Sequence, residues 1–345
     1  MVEFLNRYVS LEKESTYGSE PSGTQVFGEV DDESFQHNYD LLTRQDMSRE
    51  IVSKSVTGTE YSEGGLNMAL QVDDFTGNVL GAFFPNTAYD DGLSGGHEFG
   101  EPTTASHTYN SYTIRVGREQ KEHTYCGMVG SRLSMTANVG EYVMLSADFV
   151  GCSESATSAL QTSFSYDGDA QDALYFSNGT VLFDDGSGSA PAASASVKSF
   201  SFEVNLNRDT DNAYGLGNST YTRAPPAQRR EITGTIEFNT VLYGDQTLDE
   251  PDYDALIAAD GLSYSDGADA PTITLYLQDE TNNDSTYIKV MFYHVRFEAP
   301  TASVSGRDTN TMSVGFVGLY DATASGADKA MRIHMKGGAA GTAAY

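Results

Sequence analysis

Phe200-Ser201-Phe202-Glu203-Val204-Asn205-Leu206-Asn207 alternates apolar and polar residues without a break. A period of two puts one set of side chains on each face of an extended chain, so the stretch reads as a strand with one buried and one wetted face. Ile232-Thr233-Gly234-Thr235-Ile236-Glu237-Phe238 repeats the pattern, and Leu66-Asn67-Met68-Ala69-Leu70-Gln71-Val72 nearly does. Further strands are expected at residues 112–116, 132–137, 141–149, 272–277, 288–297 and 312–319. Helical periodicity is confined to about 76–84 and 253–259, each just after a strand. The chain is therefore mostly β.

Its 345 residues are comfortable for two domains, and 34 glycines require frequent turns. The charge balance is the outlier: 20 Lys+Arg against 49 Asp+Glu, a formal net charge of −29. Tight nucleic-acid binding needs cations to displace counterions, and anionic membranes repel such a chain, so both are excluded as tight partners. Self-repulsion of this size is screened in concentrated salt, which points to a halophilic setting. No stretch approaches the roughly 18 apolar residues of a membrane helix, and the start lacks the layout of a secretory signal. The chain is expected to fold where it is made. Cys126 and Cys152 are too few for a disulfide framework; pairing is geometrically possible, but two buried free thiols are expected.

Order and spacing suggest an internal repeat. One copy runs strand 65–72, helix, strand 112–116 and a hairpin ending Phe149-Val150-Gly151. The other runs strand 234–241, helix, strand 272–277 and a hairpin ending Phe316-Val317-Gly318. Each opens with a long two-arm segment, 26–58 and 197–230. The expected division is a first domain at 1–185, a small-residue linker at 186–196, a second domain at 197–336 and a flexible tail at 337–345.

Signals for catalysis are weak. The six histidines show no zinc-like spacing, and His97 and His107 read as exposed loop residues. The acidic loops 167–172 and 279–284 lack the Gly and Glu positions of a calcium loop. A nucleophile elbow and a phosphate-cradling loop are both missing, so no enzyme activity, cofactor or metal is expected. The scarce basic residues are more informative. Arg208, Arg223, Arg229 and Arg230 flank a Gly/Asn/Pro/Thr-rich loop, and Arg44, Arg49 and Lys54 occupy the matching arm of the first copy. Both arms are expected to order against an acidic neighbouring subunit.

With the 197–207 strand, the loop containing Pro225-Pro226, and the return strand Arg230-Glu231-Ile232-Thr233-Gly234-Thr235-Ile236, the sequence resembles the major tail tube proteins of long-tailed, siphovirus-like viruses. Ser15-Thr16-Tyr17-Gly18-Ser19 is similar to the start of the family's double-domain members. The acidity departs from common bacteriophage members and points to a virus of a halophilic archaeon. The resemblance implies two tandem β-sandwich or half-barrel domains, each with one short helix, closing a β-barrel tube by oligomerisation. It implies stacked rings that conduct viral DNA, arms that reach the next ring, and assembly in the host cytoplasm into the virion tail. Implied partners are other copies (a trimer with pseudo-sixfold symmetry, or a hexamer), tail terminator, tape-measure and tail-tip proteins, and transiently passing duplex DNA, with no membrane.

On that fold, alternation assigns Ser201, Glu203, Asn205, Asn207, Thr233, Thr235, Glu237, Asn67 and Gln71 to the lumen. Phe200, Phe202, Val204, Leu206, Ile232, Ile236, Phe238, Leu66, Met68 and Leu70 pack behind them. The rival readings are a secreted or cell-surface adhesin-like β-sandwich, another virion structural protein, and a β-rich hydrolase.

Overall fold

The computed structural model describes residues 7–52, 54–90, 96–100, 109–162, 164, 166, 173–184, 192–241, 253, 272–278, 286–303, 310–320 and 330–337. His107, both acidic loops and the second expected helix beyond Tyr253 lie outside these residues, as do 186–191 of the linker and 338–345 of the tail. In chain order the strands are β1 (Arg7–Lys13), β2 (Val26–Gly28), β3 (Asp32–Glu33), β4 (Gln36–Arg44) and β5 (Lys54–Ala69). Helix α1 (Asp74–Phe83) precedes β6 (Asn86–Asp90), β7 (Gly96–Gly100), β8 (Tyr112–Arg118), β9 (Lys121–Asn138), β10 (Met144–Gly151) and β11 (Ser153–Ser158). Then come β12 (Gly179–Asp184), β13 (Ala192–Ser194), β14 (Val197–Asn205), β15 (Glu231–Phe238) and β16 (Thr272–Gln278). The last are β17 (Tyr287–Phe292), β18 (Val295–Phe297), β19 (Thr301–Ser303), β20 (Thr311–Gly318) and β21 (Met331–Lys336).

The alternating stretch behaves as its period dictates. On β14, Phe200, Phe202 and Val204 are buried while Ser201, Glu203 and Asn205 are half-buried. The strand sits mid-wall in an antiparallel sheet of order β18-β20-β15-β14-β9-β10-β5-β3. β4 prolongs the β3 edge along β5, and β19 prolongs the β18 edge along β20. Among the described residues no further strand pairs beyond β3–β4 or beyond β18–β19, so the wall is open at both edges.

Two further layers back the wall's apolar face. β9 is long enough to serve twice: its first half pairs with β8 and β11, its second with β10 and β14. The other backing sheet has the order β13-β12-β16-β17-β21-β7-β6. Phe183 meets Phe238, and Phe292 meets Phe200 and Phe202, so this sheet packs behind β14 and β15. α1 is capped by the Asp73 carboxylate, which accepts the Thr76 N–H at 2.7 Å, and everything from Phe75 to Phe83 is buried. The helix starts two residues earlier than expected, because Asp73 rather than a later residue supplies the cap. No described helix is long and apolar enough to cross a membrane.

Strand pairing recurs along the chain. β1 pairs with β2 and β8, β8 with β9, and β10 with β9 and β5; β12 pairs with β13 and β16, β16 with β17, and β20 with β18 and β15. Registers recur too. Gly64 faces Phe149 and Gly234 faces Phe316; Ser134 faces Ser146 and Thr301 faces Ser313. Phe35 packs on Tyr125 with ring centres 5.7 Å apart, and Phe202 on Phe292 at 5.3 Å. Each member of these pairs lies 167 positions from its counterpart (149 and 316, 134 and 301, 35 and 202), except that Gly64 and Gly234 lie 170 apart.

Three features cut across the division drawn from composition. β12, placed in the first unit, pairs with β16; β13 forms inside the expected linker; and the β6–β7 hairpin joins the second backing sheet through β21. β14 also pairs along β9, so one wall runs through both halves. Composition marks where small residues lie, whereas strand pairing depends on partners far away in sequence.

Candidate functional site

The wall's solvent face is polar. Directly opposed residues on neighbouring antiparallel strands share a face, so register traces rows across it. One row runs Asp32, Asn67, Ser146, Ser134, Glu203, Thr233. A second runs Thr136, Ser201, Thr235 and Gly315, and a third Asp148, Arg132, Asn205 and Glu231. Glu237, opposite Ser199 and Ser313, belongs to the same face. Arg132 donates to Glu203 at 2.5 Å across the first and third rows, and Lys198 lies 4.0 Å from Glu237. Burial pushes the Asp148 carboxyl above its ordinary range, with Arg132 opposing and Glu203 adding to the rise. Along β14 and β15 the face opens into a groove of about 430 Å³ lined by Arg132, Ser134, Ser201, Glu203, Thr235 and Glu298 among others.

Seven of the nine residues assigned to the lumen by alternation lie on this face: Asn67, Ser201, Glu203, Asn205, Thr233, Thr235 and Glu237. The other two leave it at strand ends. Asn207 follows the end of β14 with φ 45°, and its amide donates to the Arg229 carbonyl at 2.8 Å. Gln71 follows β5 and donates to Glu29 at 2.9 Å. Alternation persists in sequence past the point where pairing stops, which is why it overran both strands. Arg132, Ser134, Thr136, Ser146 and Asp148 belong to the face but were not singled out, although strands 132–137 and 141–149 carry the same alternation.

The two arms differ. Residues 206–230 fold back on their own chain rather than standing free. Arg208 donates to the Gly130 carbonyl at 2.8 Å and the Pro225 carbonyl at 2.9 Å, and its guanidinium lies 4.5 Å from the Tyr109 ring centre. Burial pushes its pKa down to about 10. Arg230 donates to the Phe83 carbonyl at the end of α1 and to the Tyr109 hydroxyl, both at 3.0 Å. A cation there meets the negative end of the helix. Arg223 holds the Asn212 carbonyl within its own loop, and Arg229 is exposed. Tyr214 and Tyr221 pack against each other and Tyr221 stacks on Tyr61 of β5. Arg208 and Arg230 therefore tie the loop to its own subunit, because desolvated guanidinium groups take the nearest carbonyls.

The first arm is different. β4 and the first half of β5 pair as a two-stranded ribbon from Arg44 opposite Lys54 to Gln36 opposite Glu63. Arg44, Arg49 and Lys54 are exposed on it, and so are Tyr39, Leu41, Leu42, Met47, Ile51 and Val56. The apolar half of that list was not anticipated from sequence. An isolated two-stranded ribbon is marginal in water, and apolar side chains clustered on one mark a contact surface.

Among the described residues no side-chain constellation resembles an active site. Among the described residues no three His, Cys, Asp or Glu side chains converge as a metal site. His97 was expected in an exposed loop; it is buried on β7, opposite Met335 of β21. Cys126 and Cys152 are buried and free, and burial pushes the Cys126 thiol up to about 11. A search among curated proteins finds no match. Residues 5–318, nearly the whole chain, match the family model described as phage tail tube protein, and the chain belongs to that family of structural virion proteins that assemble into tubes.

Proposed function

We propose that this chain is the major subunit of a tail tube, that copies close side by side into a ring, and that the polar face lines a channel conducting viral DNA into the host. The observation that carries the reading is the wall itself: one face apolar and covered, the other polar and bare, with unpaired strands at both edges. An open edge exposes unpaired backbone groups, and closure by neighbouring copies removes it. Ser, Thr, Asn and Glu keep the bore wetted, and the carboxylates weakly repel phosphate, so DNA slides without sticking.

Strand number favours a trimer. One copy supplies eight wall positions, and eight strands alone make a barrel filled by its own side chains. Two copies give a bore about as wide as a porin's, too narrow for a duplex. Three copies make a backbone circle roughly 48 Å across, at about 4.8 Å strand spacing and about 40° tilt. The recurring pairings support treating each chain as two tandem tail tube units, giving the trimer pseudo-sixfold symmetry. The exposed β4–β5 ribbon is suited to reach a neighbouring ring. The net charge of −29 suits assembly in concentrated salt, as in a virus of a halophilic archaeon. Assembly in the host cytoplasm, and terminator, tape-measure and tail-tip partners, complete the reading.

Electron microscopy of the purified chain across a salt series tests it. Hollow rings or tubes with threefold averages are expected. Discrete monomers at every salt and protein concentration would contradict it.

A further inference from the structure

We infer that the ring is sealed by an antiparallel seam in which Gln36 of one copy lies opposite Thr301 of the next, with Phe35 opposite Ala302. The inference rests on the ring-closure reading above and adds the surface, the strand direction and the register.

The template is inside the chain. At the β9–β14 junction Ser134 lies opposite Glu203 and Met135 opposite Phe202. Each of these strands has a counterpart at a wall edge. Ser134 faces Ser146 as Thr301 faces Ser313, 167 positions on, so the β18–β19 edge repeats the outer side of β9. Glu203 faces Thr233 and Gln36 faces Glu63, and the two registers again differ by 167 on the outer strand and 170 on the inner, so the β3–β4 edge repeats β14. Phe35 and Phe202, 167 apart, each pack on an aromatic ring of the backing layer. The wall thus ends on one side in a copy of β14 that has no β9, and on the other in a copy of β9 that has no β14. A second copy of the chain supplies both.

Local details fit an edge kept closed until a partner arrives. In the single chain the Phe35 N–H is held by the Glu33 carboxylate at 3.0 Å, and its carbonyl accepts from Arg118 at 2.5 Å and the Tyr125 hydroxyl at 3.1 Å. Occupying edge groups in this way blunts unwanted strand addition. At the template junction the Leu206 N–H reaches the Ser131 carbonyl at 2.9 Å. Ladder bonds alternate along an antiparallel pair, which makes Glu203–Ser134, and by equivalence Gln36–Thr301, a pair with close α-carbons and no mutual backbone bonds. Pro300 falls opposite His37 and lacks an N–H, a substitution tolerated at edges, so the seam has one ladder bond fewer than its template. Gln36, Thr301 and Ala302 are exposed in the single chain.

Such a pair has α-carbons about 4.5 Å apart, inside the range a disulfide spans. The test is the double variant Gln36→Cys with Thr301→Cys, assembled and then oxidised. Cys126 and Cys152 are buried and do not compete. A covalent ladder up to the full ring is expected, at least tenfold stronger than from Asp40→Cys with Thr301→Cys, which is four residues, or roughly 13 Å, out of register. Assembled rings that give no ladder, or equal ladders from both pairs, would overturn the seam while leaving the tube reading standing. A wild-type chain that never assembles would overturn both. If the double variant alone fails to assemble, a photo-activatable phenylalanine at position 36 replaces it: capture of the peptide carrying Thr301 supports the seam, and capture of any other peptide overturns it.

Discussion

Glu14 shows how single residues hold the molecule together. Its carboxylate, 8% exposed, accepts the Gly18 N–H, the Ser111 hydroxyl and the Thr113 hydroxyl at 2.8 Å each, and the Gly127 N–H at 2.7 Å. It joins the turn after β1 to β8 and β9, beside the thiols of Cys126 and Cys152. Gly18 has φ 69°, and an added Cβ would sit 3.0 Å from the Cys152 sulfur, so the turn needs a residue without a side chain. Removing the acceptor strands four donors in a dry site. Glu14→Ala is expected to cost about 3 kcal/mol or more in urea unfolding of the disassembled chain; a loss below about 1 kcal/mol would mean water satisfies those donors. The sequence carried no mark of this role, because an acid among 49 is inconspicuous until Ser111, Thr113 and Gly127, some 100 positions away, are placed around it.

Among elements, the β4–β5 ribbon leaves several large apolar side chains uncovered by its own chain. Leu41, Leu42 and Val56 are 59%, 58% and 62% exposed, so replacing all three by serine should leave subunit stability nearly unchanged. If the ribbon bridges rings, the triple variant forms single rings that do not stack, seen by sedimentation and negative stain. Tubes of ordinary length from it would contradict that role. What was legible in sequence follows from the same physics. β14 and β15 were readable because one face is buried and the other wet. β1 was missed because it is buried on both faces, Ser10 and Glu12 included, so no alternation is left to see. The expected strand 288–297 is broken at Tyr293–His294, where the chain leaves the backing sheet for the wall edge. For the arms, charge alone could not say which arginines would be desolvated.

At the scale of the whole molecule, acidity, openness and polarity of one face belong together. On the proposed reading, a wall with one covered apolar side has two edges for neighbouring copies to close, and closing them encloses the polar face. The measurement that tests this most directly is a cryo-electron microscopy reconstruction of the assembled tube at side-chain resolution. The account predicts that Asn67, Ser134, Ser146, Glu203, Thr233 and Thr235 face the bore, with β3–β4 of each copy beside β18–β19 of the next. A tube whose bore is lined by the backing sheets, with these residues on the outside or between rings, would contradict it.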